Sequence, residues 1–213
     1  MARKKTPNLE GFNRKKIAGI ARELFTEQGF ESTTMNDVAK RAGISKSTLY
    51  VYFTNKEAVR NYLAMISMNT FYQELTEQLL PGIMPVRQLF MKVCNILLQL
   101  KEKDPFGFAV LIEEICVEDE ILKQDMVLAT IYEVGEKINQ FIFSCFRNDL
   151  PHQNDNDLFI KEFSLWGSIY GIITFADNKE KYLEKATGMT KEQFLENSFS
   201  YLFESVNWKG NMK

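Results

Sequence analysis

Apolar residues recur along most of the chain at intervals of three and four, the spacing that is typical of amphipathic helices. The clearest run lies between residues 127 and 145, with intervals of 4, 3, 4, 3 and 4 between Val127, Ile131, Val134, Ile138, Phe141 and Cys145. The strict alternation of apolar and polar residues that marks a half-buried strand is hard to find. The pattern therefore predicts an all-α protein with about nine helices.

Three helices with recognisable ends are predicted before residue 55. The first covers residues 10–28 and is followed by a glycine, which is usual at a left-handed C-terminal cap. Thr34 and Asp37 have the spacing of a reciprocal cap for a second helix, and Ser45 can cap a third. The second and third helices are short and are separated by a tight turn at Gly43. This arrangement is a candidate helix-turn-helix.

The rest of the chain is also predicted to be helical. Asn55 can cap a fourth helix that runs to about residue 80, where two prolines break the chain. The later predicted helices cover approximately residues 86–100, 105–115, 127–145, 157–175 and 190–206. We therefore expect a helix-turn-helix domain in residues 1–54 and a larger helical domain in residues 55–213.

The charges are distributed unevenly between the two ends of the chain. The formal net charge is only -2, but residues 1–60 hold 12 Lys or Arg and 6 Asp or Glu, a local charge of +6. Residues 61–213 hold 14 and 22 such residues, a local charge of -8. The N-terminal part therefore suits a polyanion such as DNA, and the remainder repels it.

Residue types that carry enzymatic or metal chemistry are scarce. The chain has 3 cysteines, widely spaced, and 1 histidine, His152, whereas a structural zinc site needs about four close ligands. We find no GxSxG sequence and no glycine-rich phosphate loop. We expect no metal, no cofactor and no catalytic residue, and reduced cysteines.

Nothing in the sequence predicts insertion into a membrane. The basic N-terminal stretch is not followed by the apolar segment of a signal peptide. The longest uncharged stretch, residues 163–176, is shorter than the roughly 20 residues that span a bilayer. We therefore expect a cytoplasmic protein.

The segment TTMNDVAKRAGISKSTLYVYFTNKEAV, residues 33–59, resembles the DNA-binding segment of the TetR family of transcriptional regulators. The matching residues are Val38, Ala39, Ala42, Gly43, Ser45, Thr48, Leu49, Tyr50, Tyr52, Phe53, Lys56 and Glu57. With the preceding ARELFTEQGFESTT, the resemblance covers about residues 10–60. Position 47 is Ser where Gly is frequent, and position 51 is Val where a polar or aromatic residue is usual. The resemblance implies a homodimeric repressor that a small, mainly apolar effector releases from a palindromic operator in double-stranded DNA.

The third helix is expected to enter the major groove, because the second helix of a helix-turn-helix reads the bases. Lys46, Ser47 and Thr48 lie at its N-terminus, where side chains reach base edges. Leu49, Tyr50 and Phe53 are expected in the core. Phosphate contacts are expected from Thr33, Thr34, Tyr52 and Lys56.

Effector binding is expected in the second domain, as the resemblance implies. The candidate lining residues are Phe90, Phe106, Phe108, Tyr132 and Phe141, although each could instead be ordinary core. Glu113 and Glu114 either select a cationic ligand or form a solvated face, and we favour the solvated face.

A homodimer is expected through the last two helices. The helix after residue 157 is apolar on more than one face and therefore needs cover on more than one side. Two glycines one turn apart would allow a partner helix to approach closely. The predicted interface residues are Phe163, Trp166, Gly167, Tyr170, Gly171, Phe199 and Phe203. The alternative is that these helices form the core of a monomer.

Two other functions remain open on the sequence. One is an enzyme, which the scarcity of catalytic residue types argues against. The other is a DNA-binding regulator without a small-molecule effector, which acts constitutively or through a protein partner.

Overall fold

The computed structural model describes the backbone of residues 7–113, 115–206 and 208. These residues form ten helices and no strand, which confirms the all-α prediction. The helices are α1 (Pro7–Gln28), α2 (Met35–Ala42), α3 (Lys46–Tyr52), α4 (Lys56–Gln78), α5 (Val86–Lys103), α6 (Pro105–Val110), α7 (Asp119–Leu122), α8 (Met126–Phe146), α9 (Asp155–Thr187) and α10 (Lys191–Ser205). The short α7 was not predicted, because four residues are too few to show a helical period.

The helix ends follow local chemistry. The Thr34 hydroxyl accepts a hydrogen bond from the Asp37 N–H at 3.2 Å, and the Asp37 carboxylate accepts from the Thr34 N–H at 2.9 Å. The Thr34 hydroxyl also donates to the Asp37 carboxylate at 2.6 Å, and this bond, together with the one from the Thr34 N–H, holds the pKa of Asp37 below its ordinary value. A second reciprocal cap joins Thr190 and Gln193 at the start of α10. Such caps stabilise a helix by about 1 kcal/mol each, and they are visible in the sequence.

The largest difference from prediction is the length of α9, which we expected to end near residue 175. The helix continues to Thr187 and ends at Gly188, whose φ of 70° is left-handed. Residues 176–187 are mostly polar, but Ala176 and Leu183 are still buried. The fading apolar pattern thus marks a more exposed segment, and the helix stops only where a glycine permits the left-handed turn.

The described residues fall into two compact units. The first contains the chain up to Thr70 together with Lys103–Gly135, and the second contains Phe71–Glu102 and the chain from Glu136 onward. Helices α4 and α8 contribute residues to both units. The predicted domain boundary after residue 54 falls between α3 and α4, inside the first unit. The division into a DNA-binding and a second domain at that point stays a prediction.

The first unit has its core where α1, α2, α3 and the first part of α4 meet. The buried core residues include Ala18, Ala21, Leu24, Val38, Ala39, Leu49, Phe53, Val59 and Leu63. Asp104 ties α1 and α4 to the start of α6, since its carboxylate accepts from the Ser67 hydroxyl at 2.6 Å and from the Gly107 N–H at 3.0 Å. Arg22 of α1 lies 3.4 Å from the same carboxylate. The predicted Asp-Pro start of this helix is confirmed.

The second unit has a core of aromatic and aliphatic side chains from α5, α8, α9 and α10. Trp208 is fully buried in it, stacks on Phe203 with 5.0 Å between ring centroids, and donates from its indole N–H to the Phe203 carbonyl at 2.8 Å. The same indole lies beside Phe90 and Phe146. Because its N–H has a hydrogen-bond partner, the indole of Trp208 can be buried among apolar side chains.

The cysteines and acidic residues form no metal centre in the part of the chain that the structure describes. All three cysteines are free, and Cys94 and Cys145 are buried. Burial raises the pKa of Cys94 and raises that of Cys145 to about 11, so both thiols are neutral. None of the described helices is long and apolar enough to cross a membrane.

Candidate nucleic-acid interface and ligand cavity

Helices α2 and α3 are joined by a tight turn at Gly43. Gly43 has a φ of 66°, a left-handed value that favours glycine. The Gly43 N–H donates to the Lys40 carbonyl at 3.2 Å, and the Ile44 N–H donates to the Ala39 carbonyl at 3.1 Å. Ala39 is 3% exposed. A small residue and a glycine thus set the angle at which α3 leaves α2.

Helix α3 buries one side and exposes the other. Leu49 is fully buried, whereas Lys46, Ser47 and Thr48 are exposed. Tyr50 is also exposed, at 44%, and the Lys46 ammonium lies 6.0 Å from its ring centroid. The prediction that Tyr50 belongs to the core is therefore wrong. Helix α3 has only seven residues, so the segments that pack against it decide which of its side chains are buried, and the helical period does not.

Three hydroxyl groups meet at the N-terminus of α3. The Ser45 hydroxyl accepts from the Thr48 N–H at 3.1 Å and lies 2.8 Å from the hydroxyls of both Ser47 and Thr48. A hydroxyl carries one donor and two acceptor sites, so the cluster retains capacity for further partners. These are the residues that we predicted to face base edges.

The residues predicted to contact phosphate occupy different environments. Thr34 is exposed at the start of α2. The Thr33 side chain is 1% exposed and donates to the Gly29 carbonyl at 2.8 Å. Since a buried hydroxyl is not presented to a ligand, the structure contradicts a DNA contact by the Thr33 side chain.

Tyr52 and Lys56 already have partners inside the protein. The Tyr52 hydroxyl accepts from the Asn13 amide at 3.2 Å. The Lys56 ammonium donates to the Phe30 carbonyl at 2.7 Å and lies 4.2 Å from the centroid of the Phe30 ring. Lys56 therefore joins α4 to the segment between α1 and α2, a structural role that sequence reasoning missed. Its predicted phosphate contact stays a prediction.

A small cavity lies within the second unit. Its volume is about 20 Å³, and it is lined by Phe90, Val93, Ile142, Phe146, Glu162, Leu165, Trp166 and Ile169. Glu162 is the one ionisable residue of this lining. Its side chain is buried, and neither carboxylate oxygen has a hydrogen-bond partner among the described residues. Burial raises the pKa of Glu162 to about 8, although the charge of Arg147 opposes this effect.

The five predicted effector-lining residues are divided between the two units. Phe90 lines the cavity in the second unit, and Phe141, also in that unit, lies edge-on to Tyr72 instead. The other three belong to the first unit, where Phe108 is fully buried, Phe106 packs near Phe25 and Tyr132 is exposed. The prediction that these residues line an effector pocket stays a prediction.

Glu113 and Glu114 were considered above as residues that either select a cationic ligand or form a solvated face. Glu113 is exposed and forms an ion pair with Arg60. This agrees with the solvated face that we favoured. Glu114 lies outside the described residues. Glu162, which was not predicted as a site residue, has a buried carboxyl.

The predicted dimer interface is divided between exposed and buried positions. Phe163 is 42% exposed, and a methyl group added at Gly167 or Gly171 would meet no atom within 4 Å. By contrast, Phe199 and Phe203 are each 1% exposed and pack inside the second unit. The structure therefore contradicts an interface role for Phe199 and Phe203, whose rings are already covered.

An open groove of about 530 Å³ lies along part of α9. Its lining residues are Leu150, Pro151, Lys161, Ser164, Leu165, Ser168, Leu202 and Val206. Trp166 and Tyr170 are half-buried on the same helix. Phe163, Gly167 and Gly171 are exposed on this helix and do not line the groove.

Comparison with known proteins finds a family model that matches the N-terminal part of the chain. Residues 19–63 match the family model described as bacterial regulatory proteins, tetR family. An HTH-type transcriptional regulator of Staphylococcus aureus (strain bovine RF122 / ET3-1) is 38% identical over 65 residues, 30% of this chain and 35% of that protein. The chain thus matches about a third of the length of that curated relative.

Solved structures resemble the chain over almost its whole length. The fatty acid degradation regulator FadR from Bacillus halodurans is 16% identical, with a TM-score of 0.61, and the match covers 97% of this chain and 100% of that one. The regulator FadR from Bacillus subtilis, solved with stearoyl-CoA, is 19% identical, with a TM-score of 0.62, and the match covers 91% of this chain and 97% of that one. At these identities the likeness establishes the fold.

Proposed function

We propose that this chain, a DNA-binding transcriptional regulator of the TetR family, acts as a homodimeric repressor that a small, mainly apolar effector releases from a palindromic operator. The observation that carries the proposal is α3, which buries Leu49 and presents Lys46, Ser47 and Thr48 to solvent. A helix of that design fits the major groove, where its N-terminal side chains reach base edges.

The exposed side chains divide into two roles. We assign Lys46, Ser47 and Thr48 to bases, because a lysine and small hydroxyl groups can read donors and acceptors while the helix approaches closely. The exposed Tyr50 beside Lys46 is added to this set. Thr34 and Tyr52 are assigned to phosphates, and Lys56 contributes charge at the N-terminus of α4, where unpaired N–H groups favour an anion.

A homodimer is supported by the exposed face of α9. Phe159 and Phe163 stack on each other with 4.2 Å between centroids and are 47% and 42% exposed. Large exposed apolar patches usually mark interaction sites. The open positions at Gly167 and Gly171 allow a second helix to approach closely. A dimer also presents two recognition helices to two half-sites, about 34–36 Å apart on DNA.

An effector is supported by the apolar cavity of the second unit. Seven of its eight lining residues are apolar, and the Bacillus subtilis neighbour was solved with stearoyl-CoA, a ligand with a long apolar chain. Helix α4 begins at the DNA-binding segment and contributes to both compact units. An effector that prefers a state with mismatched recognition helices releases DNA, and DNA weakens effector binding by the same factor.

Selection of bound DNA from a random pool tests the proposal. We expect a palindrome with half-sites one helical turn apart. In a mobility-shift assay with that palindrome, Lys46→Ala should bind more weakly, whereas Lys185→Ala, a basic residue of the second unit, should bind like the wild type. Failure to enrich any sequence would contradict the proposal.

A regulator without an effector remains the second candidate. The small volume of the cavity favours it, because about 20 Å³ admits roughly one water molecule. Titration of an effector with and without operator decides between the two. Equal effector affinity in both titrations favours the constitutive regulator.

A further inference from the structure

The cavity of the second unit contains a carboxyl group that the protein leaves without a partner. Glu162 lies on α9, is 5% exposed, and both of its side-chain oxygens lack a hydrogen-bond partner among the described residues. Buried polar groups in native proteins are almost always hydrogen-bonded, and exceptions call for an explanation such as a missing ligand. A carboxyl held in this way is an acceptor that is available to a molecule entering the cavity.

The other residues around the cavity narrow the chemistry of that molecule. Phe90 of α5, Phe146 of α8 and Trp166 of α9 all line it beside Glu162. The faces of aromatic rings carry negative charge density and attract cations, and this attraction is strongest where water is excluded. An acidic group among aromatic rings therefore suits a positive charge with apolar substituents, and it disfavours an anion.

We propose that Glu162 and its three aromatic neighbours bind the nitrogen of an organic ammonium ion, so that the effector is a cation with an apolar body. The ammonium donates hydrogen bonds to the two carboxylate oxygens and lies against the rings. That this ligand acts as an effector rests on the proposed function. The binding step itself does not require DNA.

Binding is coupled to loss of a proton. Burial raises the pKa of Glu162 to about 8 in the empty cavity, so near neutral pH the group is mostly protonated. Entry of an alkylammonium ion converts the carboxylic acid to a carboxylate that faces the ammonium, and one proton leaves to solvent. The nearby charged and titratable groups are Cys145, whose own pKa is raised to about 11, and Arg147, which pairs with Asp155 at 2.6 Å. The Cys145 thiol therefore stays neutral near neutral pH.

The cavity must enlarge to admit such a ligand, because its present volume of about 20 Å³ holds roughly one water. Trp208 lies 6.3 Å from Phe90 and 5.8 Å from Phe146, centroid to centroid, so a shift of either lining ring alters its contacts. The chain has two tryptophans, Trp166 and Trp208, and both touch this region. Intrinsic fluorescence therefore reports binding directly.

The test uses the full chain and two probes of nearly equal shape, phenethylammonium and 2-phenylethanol. We expect the wild type to bind the ammonium about tenfold or more tightly than the alcohol, measured by tryptophan fluorescence and calorimetry. Glu162→Gln should remove this preference by weakening the ammonium alone. Glu113→Gln, at an exposed glutamate, should preserve it.

A second measurement needs no variant and protects the test against misfolding of Glu162→Gln. Calorimetry of the wild type in buffers of different ionisation enthalpy should show release of about one proton per ammonium at about pH 6.5, and affinity should rise about tenfold per pH unit below pH 8. The alcohol should release none. Equal affinity for both probes, no proton release, or no ammonium binding at millimolar concentration would overturn the inference.

The DNA assays separate this result from the proposed function. An ammonium that binds through Glu162 but leaves operator binding unchanged supports the site and contradicts the effector response. Operator binding by a protein that shows no preference for the ammonium contradicts the site alone.

Discussion

Replacement of Glu162 by glutamine should change how the stability of this protein depends on pH. The pKa of the buried carboxyl is raised from 4.5 to about 8 in the folded protein, whereas an unfolded chain restores the ordinary value. Between these two values the folded state holds a proton that the unfolded state releases. The contribution of the protonated Glu162 to the free energy of unfolding is therefore fully present below pH 4.5 and is lost as the pH rises to about 8.

The magnitude follows from the width of that interval. Each pH unit corresponds to about 1.4 kcal/mol, so the interval from 4.5 to about 8 corresponds to about 5 kcal/mol at most. Relaxation around a buried charge and entry of water reduce such costs, and we expect a loss of about 2–4 kcal/mol between pH 5 and pH 8.5. Glutamine has almost the same shape and cannot ionise, so Glu162→Gln should lack this loss.

Urea unfolding at fixed protein concentration measures the effect, because the slope and the midpoint together give the free energy of unfolding. The wild type, Glu162→Gln and the control Glu196→Gln, an exposed position on α10, should be compared at several pH values from 5 to 8.5. The difference between the wild type and Glu162→Gln should grow with pH, and the control should follow the wild type. Parallel curves for all three proteins would refute the reasoning that Glu162 is buried without a partner.

Other substitutions test the remaining assignments. Lys46→Ala should reduce discrimination at one symmetric operator position by about 1–3 kcal/mol, and a uniform loss over unrelated sequences in a mobility-shift assay would contradict a base contact. Lys56→Ala should lower affinity for all sequences, reduce the salt slope by about 1, and also lower the melting temperature, because its ammonium joins α4 to the Phe30 carbonyl. A Cβ at Gly171 meets no atom within 4 Å, so Gly171→Leu adds its side chain on an open part of α9 and should give a monomer in sedimentation; an intact dimer would place the interface elsewhere. Asp104→Ala should reduce the free energy of unfolding by about 1–2 kcal/mol through loss of the α6 cap, and an unchanged value would contradict that role.

The sequence by itself determined the local structure of this protein. The helix-turn-helix could be predicted because its signals are short-range: a reciprocal cap at Thr34 and Asp37, a left-handed glycine at position 43, and a serine that caps α3. Each of these depends on backbone groups within a few residues. The all-α class followed for the same reason, because helical periodicity is a property of neighbouring positions.

The tertiary structure decided which side of each element is covered. Thr33 and Tyr50 were assigned to the wrong environments, since the covering residues come from other segments of the chain. The sequence shows that Phe163, Phe199 and Phe203 are apolar, but it does not show which of them is covered. The packing of α10 buries Phe199 and Phe203 within the protomer, while Phe163 is exposed. Glu162 illustrates the same limit for chemistry. A glutamate among apolar residues of α9 has an ordinary pKa in an open helix, and it becomes a candidate ligand-binding group only because α5 and α8 enclose it.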